Sequence, residues 1–105
     1  MIIGALRLTF VVPTDGKSTR SVAQKIKSEM LTRFKASVAE LSTQGAELFM
    51  GASIVGNEEK LTRERLDSII HYFREWGHAD LANDESELVH FDDLELERDF
   101  EKYNP

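Results

Sequence analysis

Ile2-Ile3-Gly4-Ala5-Leu6-Arg7-Leu8-Thr9-Phe10-Val11-Val12 stands near the start of the chain with one charge in eleven residues. A run of this length and β-branched content reads as a strand, and its period of two divides the side chains between two faces. Ile2, Leu6, Leu8, Phe10 and Val12 make one face apolar, whereas Ala5, Arg7, Thr9 and Val11 make the other mixed. The apolar face needs a covering layer, which the rest of the chain must supply.

Downstream, Pro13-Thr14-Asp15-Gly16 breaks the strand, because proline cannot donate to a ladder and Asp-Gly favours a turn. Asp15 or Ser18 can cap a following helix, in which Val22, Ala23, Ile26, Met30 and Phe34 recur at helical spacing and form one stripe. Residues 36–42 read as a second strand that enters a hairpin at Thr43-Gln44-Gly45-Ala46, and Glu47 to Val55 returns as its partner. That partner is apolar on both faces, Leu48, Met50, Ala52 and Ile54 against Phe49, Gly51, Ser53 and Val55, so periodicity leaves its inward side open.

Gly56-Asn57-Glu58-Glu59 signals a second helix, with Asn57 as cap and two carboxylates where the helix dipole favours negative charge. Leu66, Ile69, Ile70, Phe73 and Trp76 give its stripe, Arg65, His71, Tyr72 and Glu75 lie off it, and Gly77 supplies the stop. A polar connection over 78–84 and a fourth strand from Glu85 to Phe91 complete the order strand, helix, strand, strand, helix, strand. This is the ferredoxin-like βαββαβ arrangement. Right-handed crossovers then place both helices on one face of a four-stranded antiparallel sheet ordered 4-1-3-2.

At 105 residues the chain is expected to form one domain over 1–92, with an acidic C-terminal extension over 93–105. The formal charge of −6 conceals an asymmetry: residues 1–79 carry 11 basic and 9 acidic side chains, residues 80–105 carry 2 and 10. Between Lys17 and Lys35 six cations face Glu29 alone. Lys17, Arg20, Lys27 and Lys35 fall on the solvent side of the first helix with Leu31 among them, and this ridge is the candidate surface for an anion or a partner. The uncovered sheet face, marked by Arg7 and Thr9, is the second candidate.

These segments resemble the bacterial YlxP-like proteins, the family catalogued as domain of unknown function 503. Met1-Ile2-Ile3-Gly4-Ala5-Leu6-Arg7-Leu8, Arg33-Phe34-Lys35-Ala36-Ser37-Val38-Ala39-Glu40-Leu41 and Gly51-Ala52-Ser53-Ile54-Val55-Gly56-Asn57 carry the resemblance. It implies a ferredoxin-like fold, no established enzymatic activity, and genes that often lie beside translation and ribosome-maturation factors. Members of that family usually open the first helix with Ser-Leu-Lys-x-Lys-Arg, where this chain has Asp15-Gly16-Lys17-Ser18-Thr19-Arg20. Lys17 and Arg20 match and the intervening lysine does not, which implies weaker anion binding. The acidic extension beyond Phe91 is also longer than the family's.

Catalytic chemistry finds no support in residue types. The chain has no cysteine, which removes disulfides, thiolate metal ligands and a cysteine nucleophile, and favours a reducing cytoplasm. His71, His78 and His90 show no metal-ligand spacing, and Asp92-Asp93 and Glu58-Glu59 are adjacent acids pointing in different directions. Pro13 to Lys17 offers no acylphosphatase-like phosphate cradle, and Leu48-Phe49-Met50-Gly51-Ala52 carries one aromatic where an RNA-recognition motif stacks bases on several. No stretch approaches the roughly 20 apolar residues of a membrane span, and no charged leader precedes the first strand. The expectation is a cytoplasmic, non-enzymatic binding module without metal or cofactor. Its partner would be RNA or a ribosomal protein, met through the first helix, with no membrane or DNA involved. The alternative is a self-associating regulatory or small-ligand-binding domain that uses the open sheet face or an edge.

Overall fold

A computed structural model describes residues 1–13 and 18–91. Its elements are β1 (Ile2–Val11), α1 (Thr19–Phe34), β2 (Ser37–Gln44), β3 (Glu47–Gly56), α2 (Glu59–Arg74) and β4 (Asp80–His90). The strands form one antiparallel sheet in the order β2-β3-β1-β4, the expected ferredoxin-like topology. Both helices cover one face, α1 over β2 and β3, α2 over β1 with its neighbours β3 and β4.

Alternation along β1 decides which face is covered. Leu8 and Phe10 are fully buried, Leu6 and Ile2 nearly so, while Arg7 between them is exposed. Register resolves the ambiguity of β3: Leu6 pairs with Ala52 and Leu8 with Met50, so Leu48, Met50, Ala52 and Ile54 share the covered side. Val22, Ala23, Ile26 and Met30 of α1 and Leu66, Ile69, Ile70 and Phe73 of α2 meet them. Each large side chain so buried contributes about 1.5–3 kcal/mol. Phe73 lies edge-on to Phe10 with ring centroids 5.5 Å apart, which ties α2 to the centre of β1.

Close approach fixes two glycines. A Cβ on Gly4 would stand 3.0 Å from Leu66 Cδ1, and one on Gly56 would collide with Thr62 Oγ1. The β2–β3 hairpin turns through Gly45-Ala46, where Gly45 has φ +60° and Ala46 does not, the pattern of a type II′ turn.

Several boundaries differ from expectation. Ser18 caps α1 by accepting from the Ser21 N–H at 3.1 Å; Asp15, the other candidate, lies outside the described residues. Glu58, not Asn57, is the N-cap of α2 and makes no side-chain cap bond; the buried Thr62 instead donates its hydroxyl to the Glu58 carbonyl at 2.8 Å. α2 stops at Arg74 rather than at Gly77, and Trp76 packs on Phe10 and Phe73 from beyond the helix. β4 begins at Asp80, so most of the connection expected over 78–84 is strand. Asp80 pairs with Val11 and Asp84 with Leu8, and backbone pairing at a sheet edge requires no apolar side chains. The extension over 93–105, with Asp92, lies outside the described residues.

Both edge strands break register once. β4 shifts between its partners Thr9 and Phe10, and β2 shifts between Glu40 and Ser42 at Leu41.

Candidate functional site

Of the ridge expected on α1, the structure places four residues; Lys17 lies outside the described residues. Arg20, Leu31 and Lys35 are exposed, Leu31 at 65%. Lys27 is half-buried and turns toward the sheet edge, its Nζ 3.8 Å from Glu40 Oε2 on β2. Helical geometry splits the cations between two flanks. Arg20 and Lys27 lie toward β2, Lys25 and Arg33 toward α2, and Ser21, Gln24, Ser28 and Thr32 run between them.

Among the described residues, Arg20, Lys25 and Lys35 form no ion pair. The arginines of α2 are engaged: Arg63 donates to Ser86 Oγ at 2.8 Å, Arg65 to the Val55 carbonyl at 3.1 Å, and Arg74 to Asp84 Oδ2 at 3.3 Å. Lys35 closes α1 in the left-handed conformation, φ 52°, with its N–H and that of Ala36 directed at the Met30 carbonyl. A non-glycine residue held there costs on the order of 1 kcal/mol.

On the open sheet face Arg7 pairs with Glu85 across β1 and β4, and Thr9 is half-buried beside Phe49 and Asn83, its partners on the two neighbouring strands. One end of this face is apolar. Met1, Val55, Val89 and Phe91 are exposed around Ile3, which pairs with both valines.

Periodicity did not reveal a third region. The C-terminal half of α1 and the end of α2 enclose a surface groove of about 620 Å³ lined by Glu29, Arg33, Phe34, Tyr72, Glu75 and Trp76 among others. Tyr72, expected off the apolar stripe, sits half-buried between the helices and donates its hydroxyl to Glu29 Oε2 at 2.8 Å. Arg33 Nε donates to the same oxygen at 3.0 Å, and its guanidinium lies 4.6 Å from the centroid of the Tyr72 ring. The Tyr72 hydroxyl first, and Arg33 second, hold the Glu29 carboxyl below the usual carboxylate range. That same bond, with burial, raises the Tyr72 phenol above its ordinary value. Trp76 flanks the groove with His78, ring centroids 4.8 Å apart. His71 lines the groove too, while His90 stands 3.9 Å from Glu59 at the other end of α2. The signal was weak because residues 29–34 and 68–78 are distant in sequence and meet only when the helices pack.

Among the described residues no cluster of three or more His, Asp or Glu side chains could hold a metal ion, and no helix is long and apolar enough to cross a membrane.

Comparison with known proteins places this geometry in a family context. A family model described as "Protein of unknown function (DUF503)" matches residues 3–85, from β1 into β4. Among solved structures, one titled "De novo designed protein Ferredog-Diesel" is similar at 14% identity, with 84% of each chain covered and a TM-score of 0.44. No curated protein matches the sequence.

Proposed function

The chain belongs to the DUF503 family of proteins of unknown function, and we propose that it is a non-enzymatic binding module that presents α1 to RNA. Its setting would be the cytoplasm, as an accessory factor of ribosome maturation or translation, in keeping with the gene context that the YlxP-like resemblance implies.

The observation that carries this proposal is the segregation of charge across the sheet. α1 and its cap hold Arg20, Lys25, Lys27, Arg33 and Lys35 against Glu29, and α1 packs on β2 and β3. β4, at the opposite edge, holds Asp80, Asp84, Glu85 and Glu87 and no lysine or arginine. A polyanion is drawn to one side and repelled from the other, which orients it despite the negative total. Lys35, kept in a backbone conformation that glycine would take without cost, is consistent with a cation placed for contact.

Binding to a structured ribosomal RNA fragment at about 50 and 200 mM salt tests this. The Arg20→Glu/Lys25→Glu/Lys35→Glu variant is expected to lose affinity and to flatten the dependence of log K on log salt by about 1 per cation removed. Lys27→Ala should change it less, since its ammonium already neighbours Glu40. Equal affinity and slope for wild type and the triple variant would overturn the proposal.

A second function is favoured by the apolar end of the open sheet face. A second copy placed face to face across a two-fold axis would cover both patches at once, because such an interface pairs a patch with itself. Sedimentation at micromolar concentration decides it: a dimer that Val55→Asp dissociates supports self-association, and a strict monomer removes it.

A further inference from the structure

We infer that the groove between α1 and α2 is a nucleobase site, in which a base unstacked from single-stranded RNA lies against Trp76 and Tyr72 and is read at its amino edge by Glu75. This rests on the RNA-binding proposal for α1 and supplies the component that a basic helix lacks, since phosphate contacts position a nucleic acid without reading it.

Size and chemistry agree. About 620 Å³ falls within the range of small-ligand sites, roughly 300–1,000 Å³, and exceeds what one base occupies. Proteins recognise unpaired bases by stacking them on aromatic rings or guanidinium planes and hydrogen-bonding their edges. Here Phe34, Tyr72, Trp76 and His78 provide the rings, and Arg33 lies over Tyr72 as a planar cation. Arg33 belongs to the same helix as Arg20 and Lys25, so a strand whose phosphates follow α1 passes the mouth of the groove.

The carboxylates orient the ligand. Glu29 and Glu75 repel phosphate, so the base enters and the backbone stays outside on α1. Glu29 is committed to Arg33 and Tyr72, whereas Glu75 is exposed at the end of α2 and accepts hydrogen bonds only when ionised. Two adjacent N–H donors on the Watson–Crick edge of guanine match its two oxygens. Adenine and cytosine offer one amino group, and uracil, with carbonyls flanking a single N–H, fits worst.

Trp76 is the only tryptophan in the chain, so its fluorescence reports on the groove alone. The probes are a 5′-labelled uridine heptamer and the same heptamer with one central guanosine, followed by label anisotropy and by Trp76 emission. The guanosine heptamer is expected to quench Trp76 and to bind about tenfold more tightly, because stacking serves either base alike whereas only guanine brings two adjacent N–H donors to Glu75. Trp76→Leu should bring it to the level of the uridine heptamer. Glu75→Gln, at an exposed position that leaves the core intact, should erase the preference while leaving the salt dependence unchanged. Equal binding of both heptamers with unchanged Trp76 emission overturns the base site and leaves α1 binding intact. Quenching by the guanosine heptamer that survives the α1 triple reversal keeps the base site and overturns α1. No binding of either heptamer overturns the base site, and loss of structured RNA binding as well overturns both.

Discussion

The two faces of the sheet are built from the same strands, one residue out of phase, and differ in nearly everything else. On β1, Leu8 and Phe10 are inaccessible beneath the helices, whereas Arg7 is exposed on the other side and bonded to Glu85. Two glycines on the central strands repeat the contrast: a Cβ on Gly4 of β1 would meet buried Leu66 of α2, and one on Gly51 of β3 would meet the exposed Leu41. The difference teaches that folding of this chain is specified by one face and leaves the other free for a surface role. Since a one-residue slip would exchange the faces, the register of β1 is strongly specified.

Paired substitutions can break this contrast, and the largest effect belongs to the covered face. Leu8→Ala is expected to cost about 2–5 kcal/mol by chemical denaturation, and Leu41→Ala on the open face to stay within about 0.5 kcal/mol. Comparable losses from both would show that the open face is covered in solution, as a face-to-face dimer requires. The glycines sharpen the comparison at a smaller scale. Gly4→Ala should cost about 1–3 kcal/mol, because the new methyl presses on a packed leucine. Gly51→Ala should cost nothing measurable, because Leu41 Cδ2, 3.3 Å from the added carbon, belongs to an exposed side chain that can turn away.

A subtler effect lies where the two covering helices meet, and it depends on pH. Glu29 titrates below its ordinary value in the folded protein, chiefly through Tyr72. A carboxyl with a depressed folded pKa adds stability above its unfolded pKa, and that stability is lost as pH falls through the folded value. Tyr72→Phe removes the largest contributor, so the variant should be less stable than wild type at neutral pH. The two should converge in acid below the carboxylate range. A gap of equal size at both pH values would show that Tyr72 acts through packing alone.

Most of this architecture is legible in the sequence because its covered face obeys simple periods. The inward set of β1 and the stripes Val22–Ala23–Ile26–Met30 and Leu66–Ile69–Ile70–Phe73 follow from spacing, and the element order then fixes the topology. The inward face of β3 was not legible, since both of its sets are apolar and only pairing with β1 distinguishes them. The first half of β4 was hidden because Asp80 to Asp84 carries little apolar content and is held through its backbone at an edge. For the surface, exposed Arg20, Leu31 and Lys35 stand as the helix period places them, but the partner of Lys27 is Glu40, on the next element. The groove was less visible still, since its rings and carboxylates come from segments more than thirty residues apart.

The register breaks in β2 and β4 bear on a hazard common to open sheets. An outer strand with a regular ladder is a template on which further chains can pair without limit, ending in fibrils. Here each outer strand is interrupted once, at Leu41 in β2 and opposite Thr9 and Phe10 in β4, and β4 adds four carboxylates that repel their like. A new strand docking on either side would lose its hydrogen bonds partway along. The same interruptions leave the flat of the sheet, rather than its rims, as the regular surface that another chain would meet.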